Sequence, residues 1–362
     1  RIHEELPAKL KEVGIRFHVP EKIAVRQLKK LRKRIHARIK ADGIELVSGK
    51  GKRKTRLQRL SEWGDQCLAK LKQYTNDIHI CGNRNSFSKT DHDATFMHMK
   101  EDYMRNGQLK PGYNVNVATC SDFIIGSYIS SDRNDVHTLI PFMEQLRKNY
   151  AGRNIGSVVV DSGYESEENY CWFEAHPETE LYVKPSNHEA VKHRKYRTDI
   201  SRRENMAYDA QTDTYTCANG KLLQRTREKK THTASGLEIA TSVYECNECD
   251  GCPLKEKCIR ACGSKKPMEE RYKVIYVSKR FARQRQAMEA KISSPKGCLL
   301  RVNRSIQAEG NFAYVKQDLD FRRFLLRGNM KVAAEWLLFS LALNILHLHH
   351  KIQNRRLGSD LK

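Results

Sequence analysis

The chain has 362 residues, enough for two or three structural units and a large core. Lys and Arg total 66 against 43 Asp and Glu, a formal charge of +23, which predicts salt-sensitive binding to nucleic acid, although composition alone does not separate DNA from RNA or from an anionic membrane. The 11 cysteines stand in a long, Lys-rich chain with no secretory leader at its start. That argues against a disulfide scaffold and for metal-bound or free thiols in a cytosolic compartment.

In chain order, "EKIAVRQLKKLRKRIHARIKA" (21–41) places Leu28, Leu31, Ile35 and Ile39 three or four apart, one apolar helical stripe among basic faces. After the basic loop "SGKGKRKTR", a second stripe runs through Leu57, Leu60, Cys67, Leu68 and Leu71. The two predict an antiparallel helical pair. The loop charge suits phosphate contacts, and equally a solvated face. Residues 1–87 form this basic helical segment.

From residue 88 the period changes. "GYNVNVATC" alternates apolar and polar residues, Ser121-Asp122 reads as a turn, and "FIIGSYIS" follows, which predicts a β-hairpin. Next, "DVHTLIPFMEQLRKNY" carries Leu139, Phe142, Met143 and Leu146 at helical spacing, with Asp135 as its expected N-cap. "SVVVDSGY" (157–164) is a short β-branched strand that ends on Asp161, followed by a glycine turn, a helix and a strand at "LYVKP". A carboxylate at the carboxyl end of an α/β strand is where such sheets place chemistry. Asp is also a favoured turn residue, so capping stands beside the functional reading.

Residues 186–297 are polar and basic and read as an insertion that buries little apolar surface of its own. "CNECDGCPLKEKC" supplies Cys246, Cys249, Cys252 and Cys258, with Cys262 beyond it and Cys217 upstream in a hairpin, "YTCANGKLL". Closely spaced thiolates suit a closed tetrahedral zinc site. Cys246, Cys249, Cys252 and Cys258 are the local set, and Cys217 is able to replace one of them. Free thiols and an iron–sulfur cluster are the alternatives.

A helical stretch follows over 298–352, broken near Gly328. It holds "RSIQAEGNFAYVKQ" (304–317), which sets Glu309 among apolar neighbours with Arg304 and Lys316 nearby. Paired carboxylates hold two Mg²⁺ ions about 3.5–4 Å apart in enzymes that cut polynucleotides. The plain alternative is a surface glutamate paired with Arg304 or Lys316. "VAAEWLLFSLALNILHL" (332–348) is interrupted by Glu335, Ser340 and Asn344, and is read as a buried helix rather than a membrane span. His347, His349 and His350 near its end are expected to favour the negative helix terminus or face solvent. His92 and His98 are isolated.

Four stretches, "DHDATFMHMKEDYMRNGQLKPGYNV", "VVVDSGYESEENY", "CNECDGCPLKEKC" and "NRSIQAEGNFAYVKQDLDFRRFLLRGNMKVAAEWLL", resemble the DDE transposases of bacterial insertion sequences. The likeness is to the branch with a cysteine-bearing insertion between the second and third acids. It implies an α/β, RNase H-like fold: a mixed sheet flanked by helices, with its core in 88–185, the insertion in 186–297 and a C-terminal helical part in 298–362. It implies Asp161 as the second catalytic acid and Glu309 as the third, with Mg²⁺ (or Mn²⁺) as cofactor. Arg304 and Lys316 match the basic signature around that glutamate. Arg301 stands where its tyrosine is expected, and the arginine spacing is off by one.

The partners implied are DNA, as transposon ends and target, and a second copy of the chain in a homodimer; no membrane is involved, and the setting is the bacterial cytoplasm. The family's first acid lies on an earlier strand, which residues 1–90 do not show. The expectation is a chain that starts downstream of that acid, with Asp91 and Asp93 as weak substitutes in a polar loop. The rival readings are a non-catalytic, zinc-stabilised nucleic-acid-binding fragment and an RNase H-like nuclease.

Overall fold

Apolar residues at helical spacing build the first of two units in this computed structural model, which describes residues 2–49, 51–99, 104–260 and 266–358. The units are Arg1–Phe96 and Met97–Lys362. In the first, α1 (Ile2–Glu12), α2 (Val25–Ala41) and α3 (Arg56–Cys81) share one core. The expected residues Leu28, Leu31, Ile35 and Ile39 face it from α2, and Leu57, Leu60 and Leu68 from α3. Thr55 caps α3 by accepting from the Gln58 amide at 3.2 Å. Helix α1, which sequence reading missed, adds Leu6 and Leu10.

The second unit opens with the expected hairpin. Strands β1 (Asn114–Cys120) and β2 (Phe123–Ser130) pair antiparallel, with a register irregularity at Ala118/Thr119. Ser121 and Asp122 both have positive φ, 49° and 74°, the pattern of a two-residue turn whose twist matches the strands. Helix α4 (Leu139–Asn149) buries the four residues its spacing singled out. Strand β3 (Ser157–Val160), helix α5 (Glu167–Glu174) and strand β4 (Glu180–Val183) follow, with β3 and β4 parallel. Among the described residues these four strands bond as two separate pairs, β1 with β2 and β3 with β4, rather than as one mixed sheet.

The stretch read as a poorly buried insertion has a core of its own. Strands β5 (Ala207–Asp209), β6 (Thr214–Thr216), β7 (Leu222–His232), β8 (Glu238–Cys246) and β9 (Lys273–Val277) form an antiparallel sheet in chain order. Leu223, Tyr244 and Ile275 are buried in it. The expectation failed because β7 is exposed at every position but Leu223, so it shows no alternation to read.

The end of the same stretch belongs elsewhere. Helix α6 (Lys279–Ser293) sends Met288 and Ile292 into the core formed by α4, α5 and β4. Helix α7 (Pro295–Arg304) then starts behind Ser294, whose hydroxyl accepts from the Gly297 amide. A Cβ on Gly297 would stand 2.3 Å from the Lys291 carbonyl oxygen and 2.7 Å from Ile292 Cα. Both are backbone atoms and cannot rotate away. Gly297→Ala is therefore expected to destabilise the chain by about 2–3 kcal/mol, read as a lower urea midpoint at unchanged slope.

Beyond Arg304 the helix continues, widened to π-turns over Ser305–Glu309 and Tyr314–Asp318. The expected break falls at Gly328, with φ 86°, before α8 (Asn329–Gln353). By length and composition α8 could cross a membrane. It was expected to be buried, and only one face is: Val332, Trp336 and Leu343 are covered, whereas Leu337, Leu338 and Leu341 are exposed. Asn344 locks that face to the hairpin, exchanging 2.8 Å hydrogen bonds with both the amide and the carbonyl of Ile124. Buried Glu335 accepts from the Leu325 and Leu326 amides and so folds the preceding loop onto α8.

Candidate active site and a cysteine cavity

Asp161 follows the last residue of β3 and does two things at once. Its Oδ1 accepts from the Gly163 amide at 2.8 Å, which makes the turn Ser162–Tyr164. Its Oδ2 lies 3.5 Å from Arg304 Nη2. The other side of the same guanidinium meets Glu309, Nη1 to Oε1 at 3.2 Å. Two acids far apart in sequence thus converge on one arginine. Glu309 does pair with Arg304, as its plainer reading held, and Asp161 shares that partner.

Local contacts fix Glu309 from both sides. Gln307 Oε1 accepts from the Asp122 amide at the hairpin turn. Asn311 is buried and meets His347 Nε2 of α8 at 2.9 Å. His347 is therefore half-buried and tied, not free at the helix end, and burial holds its pKa below the usual histidine value. His349 and His350 are exposed as expected. Glu309 ends the first π-turn, a local widening that recurs at functional sites.

A third carboxylate was misread. Asp135 is not an N-cap: Asn134 holds that position, and no side chain caps the turn. Instead Asp135 Oδ1 accepts from Asn114 Nδ2 at 2.6 Å. Its Oδ2 lies 3.0 Å from where a Cβ on Gly163 would stand, the same distance as Asp161 Oδ1. The two oxygens are therefore no farther apart than twice that distance. A Cβ on Gly163 would crowd both acids, whose carboxylates would have to shift by a few tenths of an ångström. The clue in the sequence was its glycine, directly between the strand acid and the following helix.

Beneath the acids lies a polar floor. The Tyr164 hydroxyl donates to Asn116 Oδ1, which also accepts from the Thr138 hydroxyl at 2.8 Å. Burial, and then Asp135 and Asp161, push the Tyr164 pKa well above its ordinary value, so it stays a neutral phenol. Lys316 sits in the second π-turn, half-buried. Asp91 and Asp93 lie in the first unit, where Arg84 donates to the Asp93 and His92 carbonyls.

The cysteines gather separately. Cys217, Cys246, Cys249, Cys252 and Cys258 line one cavity at the end of the five-stranded sheet. None of them is in a disulfide. Burial pushes the Cys246 thiol up to about 11 and also raises that of Cys258. Cys262 lies outside the described residues. Among the described residues no three His, Cys, Asp or Glu side chains stand arranged as a metal centre.

Residues 216–349 match the model of a family described as "Transposase DDE domain". The matched stretch contains Glu309, Arg304, Lys316 and the five cavity cysteines, and begins downstream of Asp161. The likeness to a transposase domain is confined to this stretch, which is less than half of the chain. No curated protein and no solved structure matches the chain.

Proposed function

We propose that this chain is the catalytic region of a DNA transposase of bacterial insertion-sequence type, on an RNase H-like core, acting in the cytoplasm as a homodimer that pairs two transposon ends. The observation that carries the reading is the convergence of Asp161 and Glu309 on Arg304. In this reading both acids are metal ligands, and their hard oxygens suit Mg²⁺ or Mn²⁺. When bound, the divalent ions would activate the attacking oxygen and stabilise the leaving one.

The chain's own groups do the rest. Asp161 and Glu309 concentrate negative charge at one point of the fold, and Asp135 adds to it. Arg304 balances that charge and, once displaced by a cation, is free to hold a phosphate of the transposon end. Lys316 serves the same backbone. The basic residues elsewhere bind DNA mostly through phosphates, which position it without reading sequence. In the first step water attacks phosphorus and the bond to the 3′-oxygen breaks, leaving a free 3′-hydroxyl. In the second that hydroxyl attacks a target phosphodiester and a strand is joined.

The non-catalytic reading has one observation in its favour: a guanidinium, not an open space, lies between the two acids. The test uses a plasmid carrying the genomic DNA that flanks the coding sequence. The proposed function predicts Mg²⁺-dependent nicking and joining at the element's ends, abolished by EDTA. Salt-sensitive binding with no metal-dependent cutting would assign the chain to the non-catalytic class. Cutting without joining would make it an RNase H-like nuclease.

A further inference from the structure

We propose that the cavity at the end of the five-stranded sheet binds one thiophilic divalent cation, zinc, through Cys217, Cys249, Cys252 and Cys258, with Cys246 left outside the ligand set. Five thiols line this one cavity, and none is spent in a disulfide; no three of them stand in ligand arrangement, so binding would draw them inward. They come from two places. Cys217 opens a tight turn, with the Gly220 amide bonded back to its carbonyl and its own amide bonded to the Lys221 carbonyl. The others lie in the loop after β8, where Cys249 and Cys252 form one turn and Cys258 the next.

The choice of four follows from chain position. All five line the cavity, but Cys217, Cys249 and Cys252 lie in turns and Cys258 at the end of a single helical turn, outside the sheet ladder. Cys246 differs: it ends β8, paired with Lys273 in the ladder, and its carbonyl accepts a hydrogen bond from the Cys249 thiol. It is 1% exposed, enclosed by the sheet core.

A second observation points to an anionic centre. Lys273 is 8% exposed and sits at the cavity wall. Its ammonium donates to two carbonyls, Ser201 O at 2.6 Å and Cys258 O at 2.9 Å, with no carboxylate in direct contact among the described residues. Buried charges are normally paired. A zinc ion with four thiolates carries a net charge of −2, and Lys273 on the cavity wall would offset part of it, whereas Lys221 and Lys255 already pair with Glu248 and Asp250. Binding releases the four thiol protons to solvent, so no oxidant or reductant is needed. The bound ion would tie the turn at Cys217 to the loop after β8, a structural rather than catalytic role.

The test begins with the full chain, purified without chelator and assayed by elemental analysis. About one zinc per chain is expected, falling at least about tenfold in Cys217→Ser and holding in Cys246→Ser. Replacement by Co²⁺ should give the intense visible bands of a tetrahedral four-thiolate site. Should Cys217→Ser fail to fold, alkylation of the unmodified chain decides the matter. Cys217 and Cys252, both half-buried, should be protected with metal bound and should react once a chelator strips it. Iron and acid-labile sulfide in place of zinc, or Cys217 reacting equally fast in both states, overturns the proposal.

Discussion

Asparagine in place of Asp161 is expected to lower Mg²⁺-dependent strand cleavage about a thousandfold, equivalent to roughly 4 kcal/mol of transition-state stabilisation. The substitution is chosen for what it leaves intact. An asparagine oxygen can still accept from the Gly163 amide, so the turn after β3 keeps its bond. What is lost is the charge facing Arg304. Mn²⁺ affinity, followed by electron paramagnetic resonance, should fall at least about tenfold in parallel, while salt-sensitive DNA binding stays within a few-fold. Unchanged cleavage by this variant would remove Asp161 from the chemistry.

Alanine at Glu165 should cost about 3–5 kcal/mol of stability, the range for stripping one partner from a buried ion pair. The Glu165 side chain is 2% exposed, and Arg285 grips it with two bonds, Nε to Oε1 and Nη2 to Oε2, each 2.8 Å. The Ser186 amide and the Tyr170 hydroxyl also donate to it. Removing the carboxylate strands Arg285 and leaves those two donors without their acceptor. The pair joins the turn next to Asp161 to α6, so loss of the pair should also loosen the site. Denaturant unfolding measures the first effect. A destabilisation below about 1 kcal/mol would mean that water enters and replaces the pair.

What could be read from residues alone follows from how local each signal is. The stripe through Leu28, Leu31, Ile35 and Ile39, the turn at Ser121-Asp122 and the strand Val158–Val160 each carry their own pattern and stand where expected. Helix α1 was missed because Pro7 lies inside it and charged residues crowd its two buried leucines. The five-stranded sheet escaped because β7 turns nearly all its residues to solvent. The candidate site shows the same division. Asp161 and Glu309 were marked by motif, whereas Arg304 stood one residue off the expected spacing from that glutamate. Asp135 looked like a cap because its partners, Asn114 and the space over Gly163, come from other parts of the chain. Contacts at such separation leave no periodic trace.

The paired strands have a consequence for handling the protein. Among the described residues β1 bonds only to β2, and β3 only to β4, so β1 and β3 each have one flank with no strand alongside, whereas the outer flank of β2 is met by the Asn344, Tyr150 and Gln145 side chains. Natural sheets guard such flanks with lysine, proline or a covering helix. Here "NVNVATC" and "SVVV" contain no charge and no proline. At high concentration, chains should stick together through intermolecular ladders, even though the large positive charge opposes their approach.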